Sequence, residues 1–133
     1  MDEFEIIRRL FTPDKTSDSV IIGVGDDGAI LRPDAGRDLV VVVDTMVSGV
    51  HFPEDLNPAD IGFRAVAVNV SVIAAMGGRP RWLTLALTLD AADQEWLQEL
   101  YSGIASAASA FGVELVGGDI TRGREFVISV QIT

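Results

Sequence analysis

The chain of 133 residues has no cysteine, one lysine (Lys15) and one histidine (His51). Without cysteine there can be no disulfide, no thiolate nucleophile and no zinc–cysteine centre. A single histidine excludes a multi-histidine metal site. The single lysine is not near a glycine run, so a phosphate loop of the G-x-x-x-x-G-K-[ST] type is missing. No H-R-D or D-F-G triplet is present, which removes the protein-kinase arrangement. The uninterrupted apolar runs fall short of the roughly 20 residues of a membrane span. The N-terminus, MDEFEIIRRL, is acidic and amphipathic rather than basic-then-apolar like a secretory signal. These traits suit a soluble cytoplasmic protein. There is also little positive charge. A formal net charge of −10 repels nucleic-acid backbone and anionic membrane, so neither is expected as a partner. A phosphorylated substrate would need cations between it and the protein.

What is present is a chain that is 48% hydrophobic, enough for one domain over residues 1–133 with its own core. No repeat or linker-like tract divides it. Phe4, Ile7 and Leu10 recur at helical spacing over Asp2 to Phe11, and Pro13 closes that segment. Leu39 to Val43 is a wholly apolar, β-branched run that predicts a strand buried on both faces and ended by Asp44. Asn57-Pro58 reads as a helix cap followed by proline at the first helical position. The helix it opens has a stripe of Ile61, Ala65, Val68, Val72 and Met76 and stops at Gly77-Gly78. Trp82 to Leu89 alternates as a strand, and Asp90 is expected to cap a helix with the stripe Leu97, Leu100, Ile104, Ala108 and Phe111, ended by Gly112. Val113 to Val116 predicts a short strand running into Gly117-Gly118-Asp119. Phe126 to Ile132 predicts a last strand. The chain stops inside that pattern, so a piece of a longer protein is expected. Consecutive strands near Ala29 and Leu39 with no helix between them exclude a purely parallel sheet. The fold class is α+β, a mixed sheet covered by helices.

Gly23-Val24-Gly25-Asp26-Asp27-Gly28 matches the dinucleotide fingerprint G-x-G-x-x-G letter for letter. That fingerprint works when its glycines open a helix whose free N–H groups face a pyrophosphate. Here Pro33 and Gly36 leave no room for such a helix, and two carboxylates would stand where a bare diphosphate must approach. The dinucleotide reading fails. What remains is a set of acids at strand ends beside glycines: Asp26-Asp27, Asp44 and Asp119. Carboxylates that converge disfavour one another's charge unless cations hold them, and all-oxygen ligands select hard ions such as Mg²⁺. One reading is therefore a magnesium-bridged phosphate site, with Arg122 and Arg124 as the nearest phosphate-contacting cations. The other is that GDDG and GGD are plain turns and Asp44 a cap. Spacing alone leaves both open.

Four stretches in order carry a resemblance: GVGDDGAIL (23–31), DTMVSGVHF (44–52), NPADIGFRAVAVNVSVIAAMGGRPRWLTLALTL (57–89) and GGDITRG (117–123). Together they resemble the N-terminal half of the thiamine-monophosphate kinase family. That family lies in the superfamily of aminoimidazole ribonucleotide synthetase, selenophosphate synthetase and the hydrogenase-maturation protein HypE. The resemblance implies a PurM N-terminal domain-like fold, forming the N-terminal half of a two-domain enzyme. It implies ATP- and Mg²⁺-dependent phosphorylation of thiamine monophosphate to thiamine diphosphate by a homodimer paired through its N-terminal sheets. By position, Asp27, Asp44 and Asp119 match magnesium ligands, and Gly118 with Asp119 a nucleotide-contacting turn. His51 matches a residue at the thiamine-phosphate site. Two places depart from the family pattern. Asn69-Val70-Ser71-Val72 stands where the motif reads N-x-S-D, so Val72 replaces a bridging metal aspartate. Val42-Val43 stands where hydroxyl residues are common. Losing that carboxylate should weaken metal binding, and the family's C-terminal domain, absent from this chain, supplies further metal and nucleotide contacts, so the isolated piece is expected to be inactive or nearly so. The alternatives are a non-catalytic dimerisation module with a degenerate metal site, or another ATPase of the superfamily.

Overall fold

The computed structural model describes residues 2–91 and 93–133. Along the chain run α1 (Glu3–Leu10), β1 (Val20–Ile22), β2 (Ile30–Leu31), β3 (Val42–Val47) and α2 (Pro58–Ala75). They are followed by β4 (Trp82–Leu89), α3 (Gln94–Phe111), β5 (Glu114–Arg122) and β6 (Val127–Ile132). The main sheet has four strands in the order β3-β6-β4-β5, while β1 and β2 form a separate two-stranded ribbon. β4 and β5 run parallel, and β6 is antiparallel to both of its neighbours. Parallel strands cannot be joined by a tight turn, and α3 is the crossover that β4 and β5 require. The mixed α+β sheet expected from the sequence is what forms.

Alternation decides which face is covered. Leu83, Leu85, Leu87 and Leu89 of β4 are buried, as are Ile128, Val130 and Ile132 of β6. The register sets Leu83 beside Ile132, Leu85 beside Val130 and Leu87 beside Ile128, so the two strands present one apolar surface. α2 packs on β3, β6 and α3, closing that surface. The opposite face carries Thr45, Thr84, Ala86, Ser129 and Gln131, all exposed or half-buried. On it the Thr45 and Ser129 hydroxyls lie 2.6 Å apart, and Thr84 Oγ1 donates to Gln131 Oε1 at 2.7 Å.

The helix termini follow local chemistry. Asn57 Oδ1 accepts from the Ala59 N–H at 2.9 Å with proline following, and Gly112 ends α3 at φ 70°. α3 is capped by Asp93 rather than Asp90, its Oδ1 accepting from Glu95 N–H at 3.0 Å. By length and composition α2 is apolar enough to cross a membrane, but it serves as the central helix of the domain, with one face in the core. Because it is apolar nearly all round, spacing could not choose that face. Ile61, Ala65, Val66, Asn69 and Ile73 are buried, whereas Val68, Val72 and Met76 of the predicted stripe turn outward.

The predicted doubly buried strand at Leu39 to Val43 is also corrected. β3 begins at Val42, continues through Asp44 to Val47, and is an edge strand with one open face. Val43 is 68% exposed, although its β-branched neighbours read as interior. The strand expected at Val113 to Val116 is longer, and Gly117-Gly118-Asp119, for which a plain turn is one sequence reading, is the middle of β5.

α2 and α3 approach backbone to backbone. A Cβ on Gly103 would run into the Ala59 backbone, and one on Gly62 into the Leu100 carbonyl. Gly103→Ala should therefore lower the unfolding free energy by about 3 kcal/mol in urea denaturation, the cost of overpacking. On an open helix face the same change would instead stabilise by roughly 1 kcal/mol. A second test uses Tyr101, whose ring meets Phe11 edge-on at 5.3 Å. Burial first, and the charge of Asp14 second, push its phenol above the ordinary 10.0. A raised folded-state value gives stability that is complete below pH 10.0 and is lost as pH rises through the raised value. Tyr101→Phe should flatten that alkaline decline in a pH series of thermal melts.

Candidate functional site

A cavity of about 770 Å³ opens between α1, the β1–β2 ribbon and the β5 side of the sheet. Leu85, Leu87, Leu115 and Ile120 form an apolar floor, with Ile7 and Arg8 of α1 and the adjoining Phe11 as one wall. Asp26, Asp27, Gly118 and Asp119 line it as well, and the three acids are exposed. Acids thus stand around an apolar pocket, with Arg8 as the basic side chain among its lining.

Each acid is placed by a backbone device. Asp26 and Asp27 ride the loop joining β1 to β2, a hairpin tip rather than a helix start, in keeping with rejection of the dinucleotide reading. Gly25 turns the loop at φ +113°, a region L side chains rarely adopt, and Asp26 Oδ1 accepts from the Asp27 N–H at 2.8 Å. The tip reaches β5: a Cβ built on Gly117 would lie 4.0 Å from the Ala29 Cβ. β5 bulges where Leu83–Leu115 pairing gives way to Thr84–Gly117, and a Cβ on Gly118 would collide with the Leu85 backbone. Only glycine fits there, and Asp119 follows it.

Asp44 and His51 lie elsewhere. Asp44, Val130, Leu85 and Gly118 are register partners in one row across the sheet. Three inter-strand steps therefore separate Asp44 from Gly118, roughly 14 Å. Asp44 Oδ1 accepts from the Thr45 N–H at 3.0 Å. His51 sits in the turn after β3, its Nδ1 accepting from the Val47 N–H at 2.9 Å, which leaves the ring proton on Nε2. The expected gathering of Asp27, Asp44 and Asp119 is not closed within this chain. Among the described residues no group of three or more His, Cys, Asp or Glu side chains could hold a metal ion. The reason is topological, since β3 and β5 are opposite edges of the sheet.

Asp27 and Asp119 nonetheless share one cavity, and a pair of carboxylates suits magnesium, which keeps waters and phosphate oxygens as its other ligands. Of the motif Asn69 to Val72, Asn69 is buried with Nδ2 donating to the Ala65 carbonyl at 2.9 Å, while Val72 is 44% exposed. Arg122 and Arg124 are exposed and do not line the cavity. Sequence reasoning missed the α1 wall, whose signal was Arg8 and Arg9 in the last turn of an otherwise acidic helix.

Fold and cavity together define a mixed α+β domain with an acid-edged, glycine-backed pocket. Residues 25–133 match the model of AIR synthase related protein, N-terminal domain, and the chain belongs to that family. It is 43% identical over 122 residues to thiamine-monophosphate kinase of Escherichia coli (strain K12), covering 91% of this chain and 38% of that protein. The crystal structure of thiamine-monophosphate kinase from Stenotrophomonas maltophilia K279a superposes with a TM-score of 0.80 at 43% identity, covering 86% of this chain and 36% of that one. AaThiL complexed with AMPPCP and TMP superposes with a TM-score of 0.67 at 32% identity, covering 69% and 30%. The chain spans about two-fifths of the length of the curated relatives it matches.

Gly118→Ala must push β5 away from β4. It should cost about 2 kcal/mol or more in chemical denaturation, with amide shift changes centred on Leu85 and Gly117 to Ile120. A variant with unchanged stability and spectrum would contradict the close strand contact.

Proposed function

We propose that this domain is the nucleotide- and magnesium-binding N-terminal part of a thiamine-monophosphate kinase, which transfers the γ-phosphoryl group of ATP to thiamine monophosphate. The observation that carries the reading is the shared cavity of Asp27, Gly118 and Asp119. Identity to kinases of that name, and a similar fold holding an ATP analogue, support it. A cytoplasmic setting belongs to the same reading.

Joining two anionic phosphates needs neutralisation and in-line positioning more than a strong base. Asp27 and Asp119 are the residues that would hold Mg²⁺ here, and the bound ion would offset phosphate charge. Gly118 lines the cavity beside Asp119, and its missing side chain lets β5 lie against the Leu85 backbone of β4. The apolar floor of Leu85, Leu87 and Ile120 excludes water beneath it. His51 offers an Nε2–H donor in the turn after β3 for the phosphate of thiamine monophosphate, and Asp44, within β3, is the third metal ligand in this reading.

Homodimerisation would bring the two edges together, with Asp44, in register with buried Val130 and Leu85, on the helix-covered side of the β3 edge. The uncovered sheet face around Thr45, Ala86 and Ser129 is the pairing surface in this reading. A two-fold axis lying parallel to the strands between two such faces sets the β3 edge of one copy over the β5 edge of its partner, about 10 Å away. A second reading, a non-catalytic dimerisation module, is favoured by Val72 at the position of the family's bridging aspartate.

In the full-length protein, Asp27→Asn and Asp119→Asn should each weaken Mg²⁺–AMPPCP binding by about a hundredfold, as the loss of a charged ligand predicts. Val72→Asp, at an exposed position, should tighten it. Calorimetry reads both, and no binding by the unaltered protein at millimolar ligand would leave the module reading standing. The isolated chain should form no thiamine diphosphate, and detectable product would refute the need for further parts.

A further inference from the structure

The ribbon that carries Asp26 and Asp27 is three residues against two and pairs with no strand of the main sheet. A ribbon so short does not hold a position on its own in water. It is held at its base, on both strands. Before β1, the Ser17 N–H and hydroxyl donate to the two carboxylate oxygens of Glu114, at 2.5 and 2.6 Å. The Ser17 and Ser19 hydroxyls lie 2.8 Å apart, and Ser19 Oγ accepts from Trp82 Nε1 at 3.0 Å. Each hydroxyl has one proton, so the direction is set: Trp82 donates to Ser19, Ser19 to Ser17, and Ser17 to the carboxylate. A chain of hydrogen bonds that ends on a charge strengthens along its length. Across the ribbon, the Arg32 N–H donates to the Ser19 carbonyl at 2.8 Å. After β2, Asp34 pairs with Arg81 at 3.3 Å, and that guanidinium lies 4.7 Å from the centroid of the Trp82 ring.

Arg81 immediately precedes β4, and Trp82 and Glu114 begin β4 and β5, where they are register partners. One strand therefore carries both the anchor, Glu114, and the cavity acid, Asp119. We propose that Glu114 is a positioning residue for nucleotide binding. Through Ser17 it fixes the ribbon base, so that the tip bearing Asp26 and Asp27 stays beside Gly117 to Asp119 and a metal–nucleotide can engage both sides at once. This rests on the nucleotide-binding reading above.

The test uses the full-length protein with Mg²⁺–AMPPCP and thiamine monophosphate as calorimetric probes. Glu114→Gln replaces one acceptor oxygen by an amide donor, and Ser17→Ala, a milder change, removes the hydroxyl. Each should raise the Kd for Mg²⁺–AMPPCP by about tenfold, the scale of one charge-assisted hydrogen bond. The Kd for thiamine monophosphate should stay unchanged. The double variant should bind like Glu114→Gln alone, because both changes cut one connection. Wild-type affinity in both single variants, additive effects in the double variant, or an equal fall for both probes would each overturn the latch. No Mg²⁺–AMPPCP binding by the unaltered protein would overturn the nucleotide reading together with it.

Discussion

The contact on which the rest of the domain depends is the approach of α2 to α3 at Gly62 and Gly103, where a side chain on either glycine would meet backbone. With the helices that close, one layer covers the apolar face made by β4 and β6. Ile61, Ile73, Leu97, Leu100 and Ile104 are almost completely buried as a result. The other face of the sheet receives no such layer. A sheet with one face covered and the other half-exposed is what an antiparallel pairing tolerates, and β6 supplies that pairing on both its sides.

From this arrangement follows the division of the chemistry-bearing residues. β5 forms one edge and carries Gly118 and Asp119, while β3 forms the other and leads to Asp44 and His51. The ribbon reaches only the first edge, so Asp26 and Asp27 join Asp119 and not Asp44. The candidate acids therefore do not form one cluster: Asp26, Asp27 and Asp119 share the cavity and Asp44 stands apart from them.

How far these features could be read beforehand depended on the range of the interaction behind them. Asn57-Pro58 and Gly112 act within a turn of helix, and the ends they mark are where α2 begins and α3 stops. Trp82 to Leu89 alternates cleanly, and β4 has those bounds. Leu39 to Val43 misled because β-branched residues are equally at home in a buried central strand and on an edge strand with one open face. Gly117-Gly118 misled in another way. Glycine pairs usually break strands, but these two permit a bulge and a close contact with β4. At the site, the acids beside glycines were visible as candidates, and the α1 wall with Arg8 was not, because a helix several loops away leaves no trace in the spacing of the motif it faces.

By itself the amino-acid order determined the three helices and the strands β4 and β6, the mixed character of the sheet, the exclusion of thiol and multi-histidine chemistry, and the candidate acids. All of these rest on interactions between near neighbours or on composition. The tertiary structure decided which face of α2 is buried, that Asp27 and Asp119 share a cavity while Asp44 lies three strands away, and that Glu114 anchors the ribbon across 97 residues of chain. Strand order and edge position arise only when distant segments pair, and the periodicity of one segment contains no record of its eventual neighbour.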